Sequence, residues 1–159
     1  MRRVRMPDAI CPVARTLDEI GDWWTLLIVR DAFAGLKRFG EFQKSLGLAK
    51  NILTERLKTL VANGILEKRL PADGGARSEY YLTDKGRELR LILIALRQWG
   101  EAHLFKEGEA MMIARDHENR PIPRLRLVDA SGDTLAPGDI VITQGRRKSP
   151  AKPARAARS

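Results

Sequence analysis

Residues 36–86, LKRFGEFQKSLGLAKNILTERLKTLVANGILEKRLPADGGARSEYYLTDKG, carry the architecture of this chain. Phe39 and Phe42 pin a short helix expected over 38–45, and Gly47 supplies a turn. A longer helix follows over 49–63, where Leu53, Leu57, Leu60 and Val61 repeat at i, i+4, i+7 and i+8 and mark a buried stripe. Asn63-Gly64 stops that helix. Two strands are then expected over 65–70 and 79–82, joined by a tip in which Asp73-Gly74-Gly75 tolerates positive φ. Short helix, tight turn, amphipathic helix and basic hairpin, in that order, predict a winged helix-turn-helix.

At about 100° per residue, Asn51, Thr54, Glu55 and Lys58 fall opposite the leucine stripe. Amide, hydroxyl, carboxylate and ammonium groups pair with base edges in a major groove. A plain solvated helix is also polar outside, so the face alone leaves both readings open. The short helix, the glycine turn and the hairpin around it favour the DNA-reading one. Arg77 stands where a wing meets phosphate or the minor groove.

Upstream, one helix is expected over 12–20, with Pro12 at its first position, Cys11 at its N-cap and Gly21 at its end. A second is expected over 22–33. Its adjacent Trp23 and Trp24 cannot face the same way, so one anchors the core and the other meets a second surface. Downstream, Thr83-Asp84 caps a long helix expected over 85–106. Leu89, Ile92, Leu93, Leu96, Trp99 and His103 line one side; Leu91, Ile94, Ala95, Ala102 and Phe105 line the other. A helix with two apolar faces needs two surfaces to bury them. A second subunit is the simplest source of the second, which predicts a homodimer.

Beyond residue 107 the character changes. Residues 124–128 (RLRLV) and 140–142 (IVI) are strand candidates separated by turn formers, which predicts a small β-rich appendage over 108–145. Residues 146–159 contain only Arg, Lys, Pro, Ala and Ser, and are expected to be a disordered basic tail. The core unit is thus placed at 10–107. The fold class is mainly α with a small β component.

The 159 residues suit one domain and a little more, and a 43% hydrophobic fraction suffices for a core. The net charge of +9 is distributed unevenly: six of the 29 basic residues lie in the acid-free tail, leaving 23 against 20 acids elsewhere. Charge alone therefore says little about specific DNA binding. One cysteine excludes an internal disulfide and a cysteine-based zinc site. No apolar run is long enough for a signal h-region or a membrane span, so a cytoplasmic, membrane-free location is expected. No Ser-His-Asp grouping, phosphate loop or Rossmann glycine pattern stands in a suitable context, so the chain is not expected to be an enzyme or to need a cofactor. His103 and His117 lack partners at ligand spacing, so no metal is assigned, and they are read as core and loop residues.

Cys11-Pro12-Val13, Gly21-Asp22-Trp23-Trp24-Thr25-Leu26-Leu27-Ile28, Arg38-Phe39 with Glu41-Phe42, Leu53-Thr54-Glu55-Arg56-Leu57, Gly64-Ile65-Leu66, Tyr80-Tyr81-Leu82-Thr83-Asp84-Lys85-Gly86 and Trp99-Gly100 together resemble the HxlR-type bacterial transcription regulators. The resemblance covers about residues 10–105. It implies a dimeric winged helix whose first and last helices form the subunit interface over a palindromic operator in double-stranded DNA. By that resemblance the recognition positions are Lys50, Asn51, Thr54, Glu55 and Lys58; Lys37, Arg38 and Arg56 position phosphate, and Arg77 serves the wing. Arg56 lies off the outermost face, so an intramolecular salt bridge competes for it. Lys68 and Arg69 are further wing candidates. The interface positions are Val13, Leu17, Leu91, Ile94, Ala95, Ala102 and Phe105.

The same resemblance makes Cys11 a candidate sensor of oxidants, quinones or other electrophiles. A thiol at a helix N-terminus feels the positive end of the dipole, and Arg15 follows one turn later; both favour thiolate. With no second cysteine, Cys11 could be alkylated, capped by a small thiol or bridged to Cys11 of another subunit. The competing reading is a buried small hydrophobe. For the whole chain, repression by promoter occupancy is the default expectation. The alternative is a winged-helix protein that serves nucleoid binding or protein contacts without reading sequence.

Overall fold

The structure, a computed structural model, describes residues 8–71 and 77–146. Its elements run α1 (Pro12–Ile20), α2 (Trp23–Phe33), α3 (Phe39–Leu46), α4 (Lys50–Ala62), β1 (Leu66–Arg69), β2 (Glu79–Leu82) and α5 (Asp84–His103). Each expected element from α1 to α5 is present, with ends shifted by up to three residues. The chain divides into two compact units between Pro121 and Ile122.

In the first unit, Leu53, Leu57 and Leu60 are buried as the α4 stripe and meet Ile28 and Val29 of α2, Phe42 of α3, Ile65 and Leu66 in one core. Each such side chain stabilises the fold by about 1.5–3 kcal/mol through burial. The end of α4 shows how local sequence sets that packing. Gly64 takes φ +66°, its N–H donates to Val61 O at 3.0 Å, and the Ile65 N–H donates back to Leu60 O at 2.9 Å. This Schellman closure satisfies two terminal carbonyls and drives Ile65 into the core. Gly47, at φ +64°, makes the comparable left-handed turn between α3 and α4. Of the tryptophan pair, Trp24 packs on the core while Trp23 is 67% exposed.

The hairpin pairs Leu66 with Leu82, Glu67 with Tyr81, Lys68 with Tyr80 and Arg69 with Glu79. Alternation puts Leu66, Tyr80 and Leu82 toward the core and Glu67, Arg69, Glu79 and Tyr81 on the other face. At its far end Thr83 opens α5: its hydroxyl accepts from the Gly86 N–H at 3.0 Å and donates to Gly64 O at 2.6 Å.

Three expectations are corrected. Leu96 and Trp99, assigned to the subunit's own core, are 50% and 59% exposed, because only the first half of α5, through Leu89 and Leu93, packs against the body. His103 is exposed too, stacked beside Trp99 rather than in the core. The strands expected over 124–128 and 140–142 do not form. The second unit instead has an isolated bridge between Val128 and Thr134, a turn in which Asp129 accepts from the Ser131 and Asp133 N–H groups, and one 3-10 turn at Pro137–Asp139. The Asp129 side chain satisfies the turn locally, strand-like pairing among the described residues there is that bridge, in which the Leu135 N–H donates to Leu127 O at 2.8 Å, and Leu127, Val141 and Ile142 remain exposed. The expected basic tail lies outside the described residues except for Arg146.

Candidate nucleic-acid interface

The face of α4 opposite its leucine stripe is laid out as the periodicity requires. Lys50, Asn51, Glu55 and Lys58 are exposed and Thr54 half-buried. No side chain caps the helix at Ala49 and no acid sits in its first turn. Among the described residues its first turn thus offers N–H groups and the positive end of a dipole with no acid or side-chain cap beside them, which suits an anionic partner. The Thr54 hydroxyl donates back to Lys50 O at 2.7 Å, so its contribution to an outside partner is as an acceptor.

Arg56 is placed otherwise. Its guanidinium pairs with Asp22 Oδ2 at 3.0 Å, while the other Asp22 oxygen accepts from the Trp24 N–H at 3.1 Å as the cap of α2. Arg56 thus ties α4 to the start of α2 in the free chain, the competing role the sequence left open.

Around the entry to α3 a second group assembles. Arg38, Lys68 and Arg77, far apart in sequence, line one cleft of about 470 Å³ with Glu41 and Tyr80. Lys37 lies over the Tyr81 ring, 4.9 Å from its centre, and Arg69 approaches the same ring at 5.2 Å. The backbone of Lys37 and Arg38 is held by Glu41, whose Oε2 accepts from both N–H groups at 2.8 Å. Those two N–H donors, Arg38's first, hold the Glu41 carboxyl below the usual glutamate range. Glu79 is buried on β2: Oε2 accepts from the Tyr81 hydroxyl at 2.6 Å and Oε1 from Arg38 Nε at 3.0 Å. Tyr81, then Arg38, holds Glu79 below its ordinary value, and the same bond raises the Tyr81 phenol.

Glu41, Glu79 and Tyr81 were not among the residues anticipated from sequence. An acid three residues after the start of a helix is a legible capping signal, so Glu41 was within reach. Glu79 and Tyr81 were not, because their role depends on the hairpin register.

The other surface is apolar. Val13 and Leu17 of α1 and Leu91 of α5 are 65%, 49% and 66% exposed. Ala95, Ala102 and Phe105 are exposed as well, and Ile94 is half-buried. Cys11 is a free, exposed thiol at the N-cap of α1, not a buried hydrophobe. The Arg15 guanidinium does not turn to it; Nε donates to Ala9 O at 2.6 Å. Among the described residues no helix is long and apolar enough to cross a membrane, and no cluster of His, Cys, Asp or Glu could hold a metal ion.

The HxlR-like helix-turn-helix family model matches residues 19–108. The chain is similar to an uncharacterized HTH-type transcriptional regulator of Mycobacterium bovis, Mb3122, with 40% identity over 92 residues, covering 58% of each chain. It therefore spans little more than half the length of that relative. Among solved structures it is similar to PA1607, with 51% identity and a TM-score of 0.83 over 87% of this chain and 98% of that one. It is also similar to the redox regulator HypR in its reduced form, with 34% identity and a TM-score of 0.55, over 59% of this chain and 94% of that one. The PA1607 match covers far more of the chain than residues 19–108, whereas the HypR match covers about as much as the family domain. With its exposed, uncapped α4, its glycine turn and its wing hairpin, the chain belongs to the HxlR-like helix-turn-helix family of transcriptional regulators.

Proposed function

We propose that the chain is a sequence-specific DNA-binding regulator that acts as a homodimeric repressor on a palindromic operator. The observation that carries this reading is α4: its apolar stripe is buried while Lys50, Asn51, Glu55 and Lys58 stand outward beside an uncapped N-terminus. The helix enters the major groove, where Asn51 is suited to bidentate pairing with adenine and Glu55 accepts from cytosine N4. Lys50 and Lys58, with Lys37, Arg38 and Arg77 on the wing side, meet phosphate and fix register. Arg56 serves the free fold first.

A dimer follows from the apolar faces of α1 and α5, which expose Val13, Leu17 and Leu91 to water unless another surface covers them. Two copies place two recognition helices in successive major grooves, about 10 bp apart, on a two-fold site. Occupancy of a promoter by that dimer blocks polymerase. Cys11 is the candidate sensor: its thiol is exposed, and the solved relative HypR is a redox regulator. A small electrophile or oxidant is the corresponding effector class.

Selection of bound sequences from a random duplex pool by the full chain, with reductant and at about physiological salt, tests the reading. It predicts an inverted repeat with half-sites one turn apart. Tight binding without an enriched motif would favour the second reading, a nonspecific nucleoid role, for which the six basic residues of 146–159 speak.

A further inference from the structure

The wing hairpin and the helix-turn-helix meet at the Glu79 carboxylate, and its geometry has the form of a latch. Arg38 and Glu79 form an antiparallel bridge, and the Tyr80 N–H donates to Lys37 O at 2.8 Å, so residues 37–38 lie against β2 as a short extra edge. Both Glu79 oxygens are committed, one to Arg38 Nε at 3.0 Å and one to the Tyr81 hydroxyl at 2.6 Å. On its other side the same dipeptide is gripped through its two N–H groups by Glu41. The chain runs from there directly into α3, through the Gly47 turn, and into α4.

We propose that Glu79 is a positioning residue for DNA recognition, holding the wing at a fixed angle to recognition helix α4 through Arg38 and Tyr81. The inference rests on the DNA-binding reading above. Electrostatics alone argue against an acid here: Arg38, Lys68 and Arg77 line the neighbouring cleft, and a phosphate approaching them is repelled by Glu79 and Glu41. A site built only for affinity would leave that charge out. What the carboxylate supplies is two acceptors for two converging donors. A glutamine is a poor substitute: it keeps one acceptor for Arg38 but loses the charge that strengthens both bonds, and it must turn Tyr81 from donor to acceptor. A buried acid that loses a partner is costly to keep, so each donor supports the other in holding the latch closed.

Charge and position predict opposite signs, which makes the test sharp. Glu79→Gln removes a negative charge beside DNA. If charge were its whole effect, the variant would bind every duplex more tightly. The positioning role predicts instead that affinity for the duplex recovered by the random-pool selection falls about tenfold, the scale of one lost base-edge contact. Affinity for a shuffled duplex of the same composition should hold or rise. Tyr81→Phe, which removes only the hydroxyl, should lower the same ratio by a smaller factor.

A DNA-free arm reads the latch itself. Amide exchange of Tyr80, whose N–H donates to Lys37 O, should accelerate about tenfold in Glu79→Gln while the core amides of α2 and α4 keep their protection. Unchanged Tyr80 exchange, or faster exchange with an undiminished specificity ratio in both variants, would overturn the proposal. If Glu79→Gln loses core protection as well, the Tyr81→Phe ratio decides alone. A wild-type chain with no sequence preference would overturn the DNA reading and this inference together, and it would show before any substitution is made.

Discussion

Gly86, in the first turn of α5, gives the fold its most exacting test. A Cβ added there would lie 2.2 Å from the Ile65 carbonyl oxygen and 3.0 Å from Leu82 Cδ2. The first contact is against backbone, so α5 must move away from the β1 end of the hairpin. That movement strains three bonds: Thr83 N–H to Ile65 O at 3.1 Å, the Thr83 hydroxyl to Gly64 O at 2.6 Å, and Gly86 N–H to the Thr83 hydroxyl at 3.0 Å. Each contributes about 1 kcal/mol. Overpacking adds roughly 1–3 kcal/mol, and alanine's helix preference returns about 1 kcal/mol. Gly86→Ala should therefore destabilise by about 3–5 kcal/mol, lowering Tm by roughly 10–30 °C. Gly40, in α3, has no atom within 4 Å of the position its Cβ would take. Gly40→Ala should stabilise by about 0.5–1 kcal/mol, raising Tm by a few degrees. Thermal melts followed by circular dichroism at one fixed protein concentration measure both, since association makes Tm concentration-dependent. A Gly86→Ala melt equal to or above the parent, or a fall of similar size in both variants, would refute the packing argument.

Leu91→Glu puts a charge on the exposed apolar side of α5 and should halve the solution mass seen by light scattering while helical content is kept; an unchanged mass would remove α5 from the interface. Arg56→Ala should cost about 0.5–1 kcal/mol of stability, because its bond to Asp22 is partly exposed and screened. Lys58→Ala should leave Tm alone and reduce the salt dependence of DNA binding by about one counterion; the reverse pattern would exchange their roles. Glu41 and Glu79 have folded-state pKa values below the ordinary one, Glu41 chiefly through the Arg38 N–H and Glu79 chiefly through the Tyr81 hydroxyl. Their contribution is therefore present above the ordinary glutamate value of about 4.3 and is lost as pH falls below it through the folded value. Wild-type Tm should drop more steeply below that pH than Tm of Glu41→Gln, and parallel curves would show that the carboxylate bonds do not contribute.

What could be read from sequence was what neighbouring residues decide. Pro12 and Gly21 bound α1, Asn63-Gly64 closed α4, and the leucine spacing oriented it, because caps, turns and periodicity act within a few residues. The outward set on α4 followed from the same periodicity. The failures needed distant information. Helical period tells which α5 residues share a side but not how far the body beneath extends, so Leu96 and Trp99 were assigned a core that ends before them. The apolar runs of the second unit resembled strands, yet a strand requires a partner, and Asp129 and Asp139 close turns there instead. The bond of Arg56 to Asp22, and the meeting of Arg38, Glu79 and Tyr81, join residues whose proximity appears only once the helices pack and the hairpin finds its register.

The central claim is that α4 reads base sequence. The most direct measurement is the affinity of the wild-type chain, at about 0.15 M salt, for the selected duplex and for a shuffled duplex of equal composition, repeated with Asn51→Ala. The account predicts a ratio of about 10³ or more for wild type. It further predicts that Asn51→Ala lowers binding to the selected duplex by roughly 1–3 kcal/mol, with the shuffled duplex bound as before. Equal affinity for the two duplexes, or equal loss on both when Asn51 is removed, would contradict it.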